Sequence, residues 1–236
     1  MNHPRIIPAV FLALLALVGT ATTMVGDSSS GAMTNAERKY LLTLLKSSET
    51  SFTSSITGLT EAQWTYKPSP DSWSIQECAE HLILAEDLIF NESQKVLKTP
   101  AVARLSNATS DGDRQIVNDM EDRNKKAKAP KVLQPTDRFP TPDSAIKEFQ
   151  LRRNKTIAYV KSTQDSVRIH VGDGPSGAPA DVYQFLLEMA AHSVRHTAQI
   201  HEMKSAPEYP SHAYKRSSFL QYVPGIPCHP STGSES

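Results

Sequence analysis

The sequence of 236 residues predicts an all-α fold, a four-helix bundle with a long connection between its second and third helices. Four stretches carry apolar residues at alternating spacings of three and four, which is the period of one helix face. Two of these stretches begin with Ser or Thr followed three positions later by Glu, the pattern of a capping box. Because each helix is apolar along one face only, the four faces are best buried against one another in a bundle.

The first helix is predicted to begin after Thr34, since Thr34 and Glu37 can each bond a free backbone amide of the first turn. Its apolar stripe consists of Leu41, Leu45, Ser48, Phe52, Ile56 and Leu59. The next segment, residues 64–73, contains two prolines and is predicted to be an ordered loop whose aromatic side chains pack on the bundle.

The second helix is predicted to begin after Ser74, with Glu77 in the capping-box position, and to end near Leu97. Its apolar stripe consists of Ile75, Cys78, Leu82, Ala85, Ile89 and Val96. The long connection that follows, residues 98–140, contains a charged stretch at 111–128 that is compatible with a short surface helix. Four prolines interrupt the remainder of the connection.

The third helix is predicted to open with Pro142, because proline is well tolerated at a first helical position, and to run to about Ser162. Residues 172–177 contain three glycines and one proline, which predicts a flexible turn. The fourth helix, from about Ala180 to Lys204, has the strongest periodicity of the four. No segment shows a pattern that predicts a β-strand.

The N-terminal residues 1–21 have the pattern of a secretory signal peptide: Arg5, an apolar run and then small residues suited to cleavage. We therefore expect export to the periplasm or the exterior. The apolar run is shorter than the roughly 20 residues that span a bilayer, so no membrane span should remain after cleavage, and an uncleaved anchor is the alternative. The rest of the chain divides into a linker at 22–33, the bundle at 34–205 and an extended or disordered tail at 206–236.

The composition bears on the classes of partner that the protein could bind and on whether its two cysteines form a disulfide. Twenty-five basic and twenty-five acidic residues balance, with no basic run, so we expect neither nucleic acid nor an anionic membrane surface as a partner. Cys78 and Cys228 could form a disulfide in an oxidising compartment, although we favour a buried core thiol and a separate tail thiol. The sequence also leaves open whether the protein forms a homodimer.

Three of the eight histidines form the candidate site. His192 and His196 are four residues apart on the fourth helix, so their side chains share one face and can converge on a metal ion. They continue the buried stripe of that helix, and two buried imidazoles without a shared partner would be costly. His81 lies on the interior side of the second helix and can approach the pair. The sequence therefore predicts one divalent metal ion bound by His81, His192 and His196.

Three protein ligands leave an open coordination position, as in catalytic zinc sites. Cys78 could supply a fourth ligand, although core packing is the simpler role, and the histidines themselves could be satisfied core residues around no metal. Glu188 and Gln199 could bond the far ring nitrogens, but we favour their being solvated helix-face residues. The other five histidines are expected to lie away from the site: His3, His170, His201, His212 and His229.

Two sequence blocks resemble the DinB-like superfamily of four-helix proteins. They are residues 73–82, WSIQECAEHL, and residues 192–200, HSVRHTAQI, within a resemblance that covers about residues 34–205. The resemblance implies an up-down-down-up bundle in which zinc or nickel is bound by three histidines that match His81, His192 and His196. Related members include thiol-dependent transferases and isomerases. The long connection and the leader depart from the family pattern and weaken any transfer of substrate.

The expected function is that of a metal-dependent hydrolase or thiol transferase acting on a small-molecule substrate or thiol. Two alternatives remain: a non-catalytic bundle that binds a small ligand or metal, and a bundle in which the metal only stabilises the fold. The sequence does not identify a catalytic residue beyond the metal ligands. Candidates for a base or a substrate clamp are Glu77, Asp87, Glu188 and Arg195.

Overall fold

The computed structural model describes residues 31–125 and 128–210. Six α-helices lie in these ranges: α1 (Asn35–Ile56), α2 (Glu61–Trp64), α3 (Ile75–Val96), α4 (Ser110–Glu121), α5 (Pro142–Ser162) and α6 (Val182–Lys204). A short 3₁₀ helix, Lys131–Leu133, and two strands, β1 (Val171–Asp173) and β2 (Pro179–Asp181), complete the elements. The predicted signal peptide and most of the predicted tail lie outside the described residues.

The long helices α1, α3, α5 and α6 form the bundle, which confirms the predicted fold class. α1 runs antiparallel to α5, because Arg38 at its start donates a 2.9 Å hydrogen bond to the carbonyl of Thr163 just past the end of α5. α1 runs parallel to α6, because Lys204 at the end of α6 donates to the carbonyl of Ser55 near the end of α1 at 2.6 Å.

The direction of α3 completes the topology. Gln76 at its start donates to the carbonyl of Phe139, just before α5, at 3.1 Å, so α3 and α5 are parallel. Cys78 in the first turn of α3 lies 3.7 Å from the carbonyl of His196 in the second half of α6, so these two helices are antiparallel. The order is therefore up-down-down-up, as the family resemblance implies, and α1 and α3 each pack on both α5 and α6.

The helix starts follow from capping residues. The hydroxyls of Thr34 and Ser74 accept hydrogen bonds from the backbone amides of Glu37 and Glu77. The carboxylates of these two glutamates accept in return from the amides of Thr34 and Ser74, so both capping boxes are complete. Asp181 caps α6 in the same way, so this helix starts two residues later than predicted and Ala180 belongs to β2 instead. The predicted loop at 64–73 is preceded by a one-turn helix, α2, whose Trp64 is fully buried.

Arg153 of α5 lies inside the bundle and contacts the other three long helices. From α5 its guanidinium donates to Glu86 of α3, to the carbonyl of Leu45 and the hydroxyl of Ser48 on α1, and to the hydroxyl of Ser193 on α6. The side chain is fully buried, and all three guanidinium nitrogens donate hydrogen bonds to acceptors. The guanidinium of Arg153 is therefore a buried cation that links α5 to the other three helices by hydrogen bonds, at a core position where an apolar side chain would be usual.

The long connection packs against the bundle instead of extending from it. α4 covers α6, and Asp113 and Val117 on its inner face are buried. The predicted short surface helix is therefore present at Ser110–Glu121, with one face packed on the bundle. Asp113 forms an ion pair with the fully buried Arg168 at 3.0 Å, which specifies where this charged helix docks, and Val117 adds buried apolar contact.

The glycine-rich stretch before α6 is a β-hairpin, so the expectation of a flexible turn without strands is wrong. β1 and β2 pair antiparallel, with Val171 opposite Asp181. The turn is fixed from the helix side, because the buried carboxylate of Glu188 accepts a 2.7 Å hydrogen bond from the amide of Ser176. Gly177 supplies the positive φ of 83° that the turn requires.

The residues just before α1 and just after α6 also contact the rest of the protein. The amide of Arg168 donates to the carbonyl of Gly31 at 2.8 Å, and Met33 is 6% exposed. At the other end, Gln63 donates to the carbonyl of Pro210 at 2.9 Å, and Tyr209 packs edge-on against Tyr66. Within 31–125 and 128–210, no helix has the combination of length and apolarity that crossing a membrane requires.

Candidate metal centre

Two helices place the three histidines that the sequence singles out. His81 lies two turns into α3, and His192 and His196 lie one turn apart on the second half of α6. Because α3 and α6 are packed antiparallel, the first half of one helix faces the second half of the other. The structure therefore brings together all three predicted site residues, although they come from distant parts of the sequence.

The three imidazoles converge through the same ring atom. Nε2 of His192 lies 3.2 Å from Nε2 of His81 and 3.0 Å from Nε2 of His196. One ligand atom from each residue falls within 4.8 Å of the other two, which is close enough for all three to bind a single ion. His81 and His196 are 4% and 8% exposed, and His192 is half-buried. The cluster could hold a metal ion, and His192 is its most accessible member.

The far nitrogens indicate that this donor set fits a metal. Nδ1 of His81 lies 3.0 Å from the carbonyl oxygen of Leu133, which can only accept, so this nitrogen carries the proton. Nδ1 of His196 lies 2.9 Å from Oε1 of Gln199. With protons on both Nδ1 atoms, both Nε2 lone pairs face His192, whose single ring proton cannot serve both. If that proton is on Nε2, one of the two lone pairs is left without a donor, and the buried Nδ1 of His192 has no described partner either; if it is on Nδ1, three lone pairs converge. A cation bound by all three Nε2 atoms would satisfy these lone pairs.

Burial also keeps the histidines uncharged. It lowers the pKa of His81, and it lowers the pKa of His196 to about 3 with His81 as the next contributor. The pKa of His192 is driven well below its usual value by burial and then by its two histidine neighbours. Neutral imidazole is the form that binds a metal, so all three side chains are ready ligands at neutral pH.

Trp73 and Cys78 border the cluster. The indole of Trp73 lies over His81 with ring centroids 4.9 Å apart, and 6.4 Å from the ring of His196 in a stacked orientation. Cys78 Sγ lies 3.6 Å from Nδ1 of His196, on the side away from the converging Nε2 atoms. Burial raises the pKa of this thiol to about 12. Cys78 is therefore placed as a packing residue, and its candidate disulfide partner, Cys228, lies outside the described residues.

The four candidates for a base or a clamp are each engaged elsewhere. Glu77 completes the cap of α3 and pairs with Lys67 at 2.7 Å. Asp87 pairs with Arg152 at 2.6 Å, and Glu188 holds the hairpin turn. Arg195 donates to the carbonyls of Asp122 and Lys125 at the end of α4. None of these described contacts directs a carboxylate at the three converging nitrogens.

Two expectations about supporting residues are wrong. Gln199 is not a solvated helix-face residue, because its amide oxygen meets the far nitrogen of His196. Glu188 is not solvated either, because it is 1% exposed and binds the hairpin. His170 and His201 do lie away from the site, the first on the carbonyl of Thr99 and the second exposed on the last turn of α6.

No sequence pattern predicts that the carbonyl of Leu133 supports the site. A main-chain oxygen can come from any residue type, and Leu133 lies in the connection whose docking depends on long-range contacts. One of these is made by Glu80, a fully buried residue of α3, whose carboxylate accepts from the amides of Thr136 and Arg138 at 2.9 and 3.0 Å. Trp73 was within reach of sequence reasoning, since it begins the first of the two blocks that resemble a known family.

Comparison with known proteins gives three similarities. The model of the DinB superfamily matches residues 44–200. The uncharacterized protein YuaE of Bacillus subtilis (strain 168) is 28% identical over 148 residues, which cover 62% of this chain and 86% of that protein. The structure of YfiT from Bacillus subtilis, described as a probable metal-dependent hydrolase with an unusual four-helix bundle topology, covers 73% of this chain and 89% of its own, at 14% identity and a TM-score of 0.45. On the family match, which spans both histidine-bearing helices, the chain belongs to the DinB superfamily.

Proposed function

We propose that the protein is a metal-dependent enzyme in which His81, His192 and His196 bind one divalent ion, zinc or nickel. The observation that carries the proposal is the convergence of three imidazole nitrogens, with no further His, Cys, Asp or Glu among the described residues in the cluster. Three protein ligands and one open position are typical of catalytic sites, whereas structural zinc sites usually fill four positions with protein atoms.

The residues around the site have distinct tasks in this proposal. Leu133 and Gln199 orient the imidazoles of His81 and His196 through their Nδ1–H groups. Trp73 covers one side of the cluster and limits the access of water. A divalent ion bound here would lower the pKa of a water ligand to about 7 and would favour the thiolate form of a thiol in the same way.

The reaction class follows from what surrounds the triad. Since the described carboxylates near it are engaged in caps, ion pairs and the hairpin, we favour chemistry in which the nucleophile is activated by the metal alone. Hydrolysis and thiol transfer to a small electrophile both meet this condition. The low exposure of His81 and His196 also suits a second candidate, a non-catalytic protein that retains a small ligand at the metal.

Metal content is the first test of the proposal. We expect protein purified without a histidine tag to contain about one equivalent of zinc or nickel by elemental mass spectrometry. His192→Ala should lose the metal because two nitrogens remain of three. His201→Ala is the matched control, since His201 is exposed on the same helix and should leave the metal in place. Metal retained by His192→Ala would contradict the proposed site.

Turnover separates the enzyme from the binding protein. The metal-loaded protein should hydrolyse activated esters or amides, or transfer a low-molecular-weight thiol, and the metal-stripped protein should not. Re-addition of zinc or nickel should restore the rate in the wild type but not in His196→Ala. Full metal content with no turnover of either substrate class, together with tight binding of a thiol ligand, would favour the binding protein instead.

A further inference from the structure

Besides the carbonyl of Leu133, the long connection supplies one arginine to the surroundings of the metal centre. Arg123 lies two residues past the end of α4, and its guanidinium forms a two-point ion pair with Glu202 of α6, at 3.2 and 2.7 Å. A third contact runs from its NH1 to Oε1 of Gln199 at 3.3 Å. Because Glu202 fixes the plane of the guanidinium, the donor aimed at Gln199 has a defined position.

The contact with Gln199 determines which way its amide points. An arginine has five donors and no acceptor, so the amide atom that faces Arg123 must be the oxygen. The same oxygen lies 2.9 Å from Nδ1 of His196, so that nitrogen must be the protonated one. Nε2 of His196 then keeps its lone pair and directs it at the other two histidines. The proton position on a metal ligand is therefore set by a residue that does not touch the ligand.

Without Arg123 this choice would be lost. The carboxamide of glutamine has an oxygen at one side and an NH₂ group at the other, and the two arrangements are close in shape. With the NH₂ group turned to Nδ1, His196 would carry its proton on Nε2, where it would block metal binding. Cys78 Sγ, 3.6 Å from Nδ1, is too weak a partner to decide between the two forms.

We propose that Arg123 is a positioning residue of the metal centre: by orienting the amide of Gln199, it holds His196 in the tautomer whose Nε2 can bind the ion. The long connection between α3 and α5 is thus part of the site, since it supplies Arg123 to His196 as well as the carbonyl of Leu133 to His81. The metal readout of this inference rests on the proposed function, whereas the tautomer does not.

A matched pair of arginine variants tests the inference. Arg195 holds the same end of α4 through the carbonyls of Asp122 and Lys125 but makes no described contact with Gln199. Arg123→Met and Arg195→Met each remove one positive charge and one anchor of the segment after α4, so a difference between them reports the contacts that only Arg123 makes, with Gln199 and with Glu202. Two further variants act at the amide itself. Gln199→Leu removes the acceptor, and Gln199→Glu replaces it by a group that can only accept.

Two readouts are needed. Ring ¹⁵N chemical shifts of His196 in the metal-free protein should report the Nδ1–H tautomer in wild type, Arg195→Met and Gln199→Glu, and a mixed or Nε2–H population in Arg123→Met and Gln199→Leu. Zinc affinity from chelator competition should fall by roughly 10- to 100-fold in Gln199→Leu. It should also fall in Arg123→Met relative to Arg195→Met, while Gln199→Glu should bind zinc at least as tightly as the wild type.

The outcomes separate cleanly. A wild-type tautomer in Arg123→Met would overturn the inference, and so would equal losses of zinc affinity in the two arginine variants, which would indicate loosened docking of α4 instead. If the wild-type protein binds no zinc or nickel, the proposed function fails. The tautomer comparison still decides whether Arg123 sets the proton position on His196.

Discussion

At the scale of single residues, the most informative feature is the proton on each histidine. His81 and His196 each hold a proton on the far nitrogen, against a carbonyl and an amide oxygen, and present a lone pair to the cluster. Nδ1 of His192 is buried and makes no hydrogen bond among the described residues. Two of the three imidazoles thus present the Nε2 lone pair with which they could bind a metal, and no described hydrogen bond fixes the tautomer of His192 through its Nδ1.

This arrangement predicts a pH dependence of stability for the metal-stripped protein. The pKa of all three histidines is lowered in the folded state, mainly by burial, while in the unfolded chain histidine titrates near 6.5. Below about pH 6.5 the unfolded state therefore binds more protons, and the free energy of unfolding should fall as the pH drops from about 7.5 to about 5.5.

Urea unfolding curves at several pH values measure the effect. His192→Gln should reduce the pH dependence, because the histidine with the strongly lowered pKa is gone. His201→Gln should keep the wild-type dependence, because His201 is exposed. Equal slopes in wild type and His192→Gln would show that the triad does not cause the loss of stability in acid.

At the scale of the elements, Arg153 shows how the bundle combines a buried charge with helix packing. Its guanidinium meets one carboxylate, one carbonyl and two hydroxyls from the three other long helices. A buried ion pair contributes little net stability compared with an apolar pair, but loss of one partner leaves the other charge uncompensated. The pair with Glu86 therefore specifies how the four helices pack, more than it adds to stability.

A double-mutant cycle tests this view. Arg153→Met should lower the free energy of unfolding by about 3–5 kcal/mol, because Glu86 is left buried and unpaired. The double variant Arg153→Met with Glu86→Leu should regain a large part of that loss, since no buried charge remains. Denaturant unfolding of the two single variants and the double variant gives the coupling directly. A double variant less stable than either single one would refute the argument.

The elements also show how far sequence reasoning reaches. The four bundle helices were predictable because their signals are local: the caps at Thr34 and Ser74, the proline at position 142 and an apolar stripe on each helix. The same periodicity placed His192 and His196 on one face, and the stripe of α3 added His81. The three histidines that could hold a metal were therefore predictable as a cluster.

The hairpin and the docked connection were not predictable, because distant partners hold them. β1 and β2 are only three residues long, and the turn between them depends on Glu188. α4 is held by Arg168 and Arg195, and the segment after the 3₁₀ helix by Glu80. Charged side chains that pair over long sequence distances leave no periodic signal, so the supporting atoms of the site could be found only in the structure.

At the scale of the whole molecule, the packed chain extends beyond the four helices at both ends. Gly31 and Met33 dock near Arg168, and Tyr209 and Pro210 dock on the loop between α1 and α3. Gly31 itself has a φ of 68°, and a Cβ atom there would lie 2.6 Å from Cγ1 of Ile169. A side chain at position 31 would therefore clash with Ile169, which indicates that Gly31 packs specifically against this residue.

Truncated chains measure how much the residues at the two ends contribute to the free energy of unfolding. A chain of residues 34–205 should be less stable than a chain of residues 31–210 by at least about 2 kcal/mol, because burial of one methionine side chain alone is worth about 1.5–3 kcal/mol. Thermal and urea unfolding of the two chains under identical conditions give the difference. Equal midpoints would mean that the docked ends add nothing to the bundle.

The spacing of the histidines along the chain has a consequence for the order of events during synthesis. His81 and His192 are 111 positions apart, so the ribosome finishes the first ligand long before the other two. At roughly 5–20 residues per second the interval is about 6–22 s, during which α3 has no α6 to pack against. An ion held by all three imidazoles can be captured only after α6 has emerged and docked. Bound metal would therefore mark a chain whose synthesis and folding are complete.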